Sequence, residues 1–170
     1  MASDVKVWRY SFPSVKGEGW AIFFLDEAGC FSALSDYGDW SYRWNTRGLP
    51  KEMTFRHFLL ECSDDYILRK IAPQREYDSV STLHVIRDMI IGMRRVDQLS
   101  KYEARVEWDR LESYDSLFNE HRFWEWSQDT ELPDTSELYM TKYSEQARLF
   151  LKHCLPRLRT ALSKDLADGV

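Results

Sequence analysis

Four histidines and three cysteines are the side chains best suited to nucleophilic, acid–base or metal chemistry in this chain. Their spacing argues against all three. His57, His84, His121 and His153 are scattered. None stands three or four residues from another His or Cys, the step that lets two ligands on one helix face reach the same zinc ion. His153 and Cys154 are adjacent, which raises the idea of a thiol activated by its own base. Neighbours on a helix point about 100° apart, however, so the two side chains cannot bond directly. Cys30, Cys62 and Cys154 are odd in number, widely spaced and set among apolar residues. They read as reduced core thiols of a cytosolic protein. The seven glycines form no phosphate-cradling turn, and no Gly-x-Ser-x-Gly elbow occurs. With 28 acids some carboxylates must lie close by chance, but nothing in the spacing singles out a catalytic pair. The expectation is therefore a protein that is not an enzyme, with no catalytic residue, metal or cofactor.

Charge and aromatic content carry more information. The 170 residues sum to −5, with 44% hydrophobic and 15% aromatic side chains, including seven Trp. The length suits one domain, expected to span 1–170. The negative balance argues against direct nucleic-acid binding, which needs a basic footprint. Apolar runs such as Trp20 to Leu25 are too short to span a bilayer, so no membrane partner is expected. Charge is concentrated between Asp97 and Glu137, where twelve acids face four cations. Seven aromatic residues share that stretch. One reading is a solvated helix face whose rings point inward. The other is a docking surface for a basic partner, aromatic anchors inside an acidic rim. A third is mimicry of a DNA phosphate track, which wants denser negative charge and fewer interspersed arginines. The docking reading names Glu107, Trp108, Asp109, Glu112, Glu120, Trp124, Glu125 and Trp126 as partner-binding residues. Arg94-Arg95 and the pair Arg157, Arg159 read as helix-end charges or surface solubility.

These residues need elements to place them. Residues 1–50 read mainly as strands. Asp26-Glu27-Ala28-Gly29 and Asp36-Tyr37-Gly38-Asp39 are turns between short apolar runs, and an antiparallel meander of about four strands follows. Trp40, Tyr42 and Trp44 recur every second residue, which puts three rings on one strand face. That face is either the aromatic layer of the core or a binding surface. Residues 54–167 read mainly as helices. Thr54 and Ser63 each precede a helical pattern as caps. Val80, Leu83, Ile86, Ile90 and Met93 step by three or four, marking an amphipathic helix over 79–96, with Gly92 inside it as a site of close packing. Ser100 and Glu103 form a capping-box pair, and Asp134 and Glu137 resemble another. A helix is expected over 117–126. Another is expected over 144–166, with an apolar stripe of Ala147, Leu151, Cys154, Leu158 and Leu162, and Pro156 kinking or splitting it. The fold class is α+β: an N-terminal antiparallel sheet packed against five or six helices.

The pattern Trp20-x-Ile22, Asp26-x-x-Gly29-x-Phe31-Ser32 and Ser35-Asp36-Tyr37-Gly38-Asp39-Trp40-Ser41-Tyr42-Arg43-Trp44 continues into Phe55-x-x-Phe58-Leu59 and Asp65-Tyr66-Ile67-x-x-Lys70. Over about residues 18–71 it resembles small accessory proteins of tailed bacteriophages and prophages that share a Ser-Asp-Tyr-Gly aromatic strand motif. The resemblance brings no catalytic residues. It implies a phage context, in which small proteins bind and block host systems such as CRISPR-Cas. The expectation is a phage-encoded interaction protein in the cytoplasm of the host bacterium. It would inhibit a host protein, a nucleic-acid-binding defence effector, in the manner of an anti-CRISPR. An immunity protein that neutralises a toxin is the alternative, and an enzyme acting on nucleic acid is the third.

Overall fold

The computed structural model describes residues 4–115 and 118–169. It is α+β: an N-terminal four-stranded antiparallel sheet is followed by seven α-helices among the described residues. Contacts divide the chain into two compact units, 1–74 with 143–170, and 75–142, where the sequence reads as one domain. The second unit is inserted in the chain between two segments of the first.

The first unit opens with β1 (Val7–Phe12), β2 (Ala21–Asp26), β3 (Cys30–Ser35) and β4 (Gly38–Arg43), a meander in chain order. Local chemistry sets its register. Cys30 N–H donates to Asp26 Oδ1 at 2.8 Å, closing the first turn. Gly29 there has φ +96°, and a Cβ on it would stand 2.3 Å from the Trp44 carbonyl oxygen. The close approach exists because Trp44 N–H donates to the Gly29 carbonyl at 2.8 Å. At the next turn Ser35 pairs with Gly38 across Asp36 and Tyr37, and Ser35 Oγ donates to the Gly38 carbonyl at 2.8 Å. Period-two alternation then sends Phe23, Leu25, Phe31 and Ala33 to one face, where they are buried. Phe24 and Leu34 lie on the other, exposed face.

Four helices of this unit share its core: α1 (Phe55–Glu61), α2 (Asp64–Ile71), α6 (Glu145–His153) and α7 (Leu155–Ala167). Thr54 and Ser63 cap the first two as expected, accepting from His57 N–H and Tyr66 N–H. The alternating rings at 40, 42 and 44 build the covered face. Trp44 is buried and meets Phe31 and Phe55 at 6.0 and 5.6 Å between ring centroids. Trp40 packs on Phe150 at 5.6 Å. Each large side chain buried this way contributes about 1.5–3 kcal/mol. Pro156 splits the last helical stretch in two. It sits at the start of α7, where a helix has no internal acceptor for the missing N–H.

Arg157 and Arg159 are not surface solubility charges. Arg157 donates to the Gly19 carbonyl at 2.6 Å and the Pro13 carbonyl at 2.8 Å. Arg159 reaches Asp64 Oδ1 at 2.5 Å and also donates to the Cys62 carbonyl. They fasten α7 to the β1–β2 connection and to the start of α2.

The second unit holds α3 (Ser79–Arg95), α4 (Lys101–Asp115) and α5 (Glu120–Asp129) around Ile86, Ile90, Leu111, Phe123 and Trp126. A short ladder of β5 (Glu76–Tyr77) and β6 (Thr141–Lys142) joins its two ends. The capping-box start of α4 forms in full: Glu103 N–H donates to Ser100 Oγ, and Ser100 N–H donates to the Glu103 carboxylate at 2.7 Å. The Ser100 hydroxyl and then the Ser100 N–H, both set against the Glu103 carboxylate, hold its pKa below the ordinary value. Asp134 and Glu137 differ from expectation. Asp134 takes a left-handed φ of +49°, makes no capping bond, and leads into a single 3-10 turn over Thr135–Leu138. Gly92 also differs: a Cβ there would meet nothing within 4 Å, so it admits no close neighbour. Leu117, the expected start of the fifth helix, lies outside the described residues.

Candidate protein-interaction surface

Helix α5 divides its residues by spacing. Phe123 and Trp126 point into the core, while Glu120, His121, Trp124, Glu125 and Gln128 recur at three- and four-residue steps on the outward side. Asn119 starts the helix by accepting from Arg122 N–H. Trp124 is 45% exposed, large for an indole beside a core. It is also held in place. Its ring stacks on Tyr139 at 5.5 Å with 23° between planes, and meets Phe123 edge-on at 5.1 Å. The Tyr139 hydroxyl donates to Glu120 Oε1 at 2.5 Å, and that bond pushes the phenol pKa up to about 12. Glu125 is anchored by Arg122 at 2.8 Å and faces His121 at 3.4 Å. The result is a fixed indole flanked by two fixed carboxylates, a small acidic-aromatic face that loses little side-chain entropy on contact.

The other candidate residues scatter around it. Asp109 and Glu112 lie exposed on α4. Asp109 pairs with Arg105 at 2.9 Å, and Glu112 accepts from the Trp108 indole N–H at 2.9 Å. Trp108 is half-buried with its ring 5.8 Å from the Arg87 guanidinium, so it belongs to the α3 side of α4. Two candidates are not surface residues at all. Trp126 is 0% exposed and packs against Phe118 and Phe123. Glu107 is 3% exposed and is spent on Arg110, Thr130 and the Glu131 amide. Heptad-like spacing explains both. In α4, Glu107 shares a row with Leu111 and Ala104, and in α5 Trp126 shares one with Phe123; both rows face inward.

The sequence reading missed a groove between α3 and α4. It has a volume of about 690 Å³. Ile90, Ile91, Ala104 and Trp108 form its floor, and Arg94, Arg95, Lys101 and Arg105 stand along it. The available signal was the row Arg87, Ile91, Arg94, Arg95 on α3, which is offset from the core row and mixes isoleucine with arginine.

His153 stacks on Tyr37 at 5.7 Å, turned away from bonding with its neighbour. Burial pushes the Cys154 thiol up to about 11, away from the thiolate that a nucleophile requires. Among the described residues, no three His, Cys, Asp or Glu side chains come together as a metal site, and no helix is long and apolar enough to cross a membrane.

No curated protein and no solved structure matches the chain. One family's sequence pattern does, over residues 3–164. The match runs through both units and well beyond the 18–71 stretch that carries the phage-like motif. The chain belongs to Phage_phiTE_072, a phage family.

Proposed function

We propose that this phage protein works by binding and blocking a host protein, without catalysing a reaction. The observation that carries the reading is Trp124. An indole held rigid on Tyr139, 45% exposed and flanked by Glu120 and Glu125, is an anchor presented to solvent. Exposed, pre-ordered tryptophans in a polar rim are the side chains that dominate binding energy at interfaces. The carboxylates select a partner with positive charge around a ring-sized pocket. Proteins that handle nucleic acid carry basic surfaces of that kind. A phage gains from covering such a surface on a bacterial defence effector, so an anti-CRISPR or related anti-defence role is the reading favoured here. Its mechanism is steric: the acidic face of α5, with Asp109 and Glu112 exposed on α4 as further acids, occupies the nucleic-acid path.

The test is plaquing of a targeted phage on bacteria that carry one defined CRISPR-Cas system and express the chain. Restored plaquing by the unaltered chain, lost with Trp124→Ala and with Glu120→Lys/Glu125→Lys, supports the proposal. Failure to restore plaquing across the defence systems of the host, or restoration indifferent to those substitutions, overturns it.

A further inference from the structure

The α3–α4 groove has chemistry opposite to that of the unit that contains it. Residues 75–142 carry fifteen acids and nine cations, yet among the described residues no acidic side chain lines this groove. Its four cations come from two helix ends. Arg94 and Arg95 close α3, where the dipole favours them. Lys101 and Arg105 lie in the first two turns of α4, where the dipole of their own helix opposes positive charge. The helix dipole therefore does not account for the α4 pair. Arg94 and Arg105 are paired outward with Asp97 and Asp109, both at 2.9 Å. Arg95 and Lys101 are exposed and have no carboxylate partner among the described residues. Between the charges the lining is aliphatic and aromatic, with Ile91 38% and Tyr102 77% exposed. Apolar surface of this kind, contiguous and rimmed by charge, marks an interaction site.

We infer that the groove receives an acidic amphipathic helix of a partner protein, and that this is a second contact, separate from the Trp124 face. Geometry favours a helix. The lined segments, 90–95 on α3 and 101–108 on α4, each run about one and a half to two turns, roughly 9–12 Å. A helix laid between two others presents apolar side chains at i, i+3 or i+4, and i+7 over that length. Its anchors would rest on Ile91, Ala104 and Trp108, while carboxylates on its flanks meet Arg95 and Lys101. A nucleic-acid strand fits less well. Its phosphates would match the cations, but it would leave the isoleucine floor unfilled, and half the cations already have carboxylate partners.

The experiment uses the full chain and a fluorescent synthetic peptide of about fifteen residues, with leucines at helical i, i+3/i+4, i+7 spacing and glutamates on both flanks. Anisotropy is read against the same peptide with lysine in place of glutamate, and against a short oligothymidylate. The expected result is saturable binding of the acidic peptide alone, weakened at least about tenfold in Arg95→Glu/Lys101→Glu, with the lysine peptide gaining on that variant. Trp124→Ala should leave this binding unchanged, which separates it from the α5 face. Equal binding of both peptides, indifference to the charge reversal, or preference for the oligonucleotide would each overturn the inference. So would sedimentation showing that the unaltered chain fills the groove by self-association and that the reversal releases monomer.

Discussion

Glu107 accepts a hydrogen bond of 2.5 Å from the Thr130 hydroxyl, joining the middle of α4 to the residue that ends α5. The same carboxylate takes the Arg110 guanidinium and the Glu131 amide. One nearly buried acid thus satisfies three donors at the point where the chain leaves α5. Removing it leaves three part-buried donors without a charged acceptor, which costs more than the bonds contribute net. Glu107→Ala should lower the stability of the 75–142 unit by about 3 kcal/mol. Urea unfolding followed by tryptophan fluorescence measures this. A loss below about 1 kcal/mol would return Glu107 to the surface acids.

Local signals in the sequence were readable wherever one residue acts on its own backbone. Thr54, Ser63 and the Ser100–Glu103 box start helices where expected, Pro156 divides α6 from α7, and period-two rings identify the covered sheet face. What depends on long-range geometry was not readable. Arg157 and Arg159 look like solubilising charges until the fold brings the Gly19 and Cys62 carbonyls to them. Glu107 looks like any acid of the 97–137 stretch, because a buried carboxylate differs from an exposed one only in partners that lie 23 positions away. The division into units was hidden for the same reason. Residues 75–142 close on themselves through a two-residue ladder that has no strand-like sequence pattern.

The two tryptophans of α5 should part company. Trp126 fills the core, and Trp126→Ala should cost about 3–5 kcal/mol through lost burial and the cavity left behind. Trp124→Ala removes one stacked, half-exposed ring and should cost under about 1.5 kcal/mol. Thermal unfolding of both variants decides the point. If Trp124→Ala proves as damaging as Trp126→Ala, its ring is structural and the α5 face loses its anchor.

Two glycines should respond with opposite sign. At Gly92 a methyl group meets open space in a helical backbone, so Gly92→Ala should stabilise by about 0.5–1 kcal/mol. At Gly29 the methyl would collide with the Trp44 carbonyl oxygen, at a φ of +96° that disfavours any side chain. That oxygen is backbone, not the end of a flexible side chain. Gly29→Ala should therefore destabilise by about 2 kcal/mol or more and loosen the β2–β3 turn. Chemical denaturation of the pair checks both directions at once. A stable Gly29→Ala would mean that the turn relaxes without disturbing the sheet.

Cys154 gives the chain a pH dependence on the alkaline side. Burial raises its thiol from 9.0 to about 11, because the thiolate loses hydration between α6 and α7. An unfolded chain releases that proton first. Between about pH 9 and 11 the native state therefore binds more protons than the unfolded one, and stability must fall as pH rises. Below that window both states keep the proton and the contribution is level. Cys154→Ala deletes the titration at the cost of a small cavity. The stability advantage of the unaltered chain over Cys154→Ala should hold level up to about pH 9 and shrink steadily from there towards pH 11. Parallel profiles across the window would show that the thiol reaches water in the folded state. A thiol reagent gives the same answer independently: half-exposed Cys30 and Cys62 should react with the native chain, and Cys154 only as it unfolds.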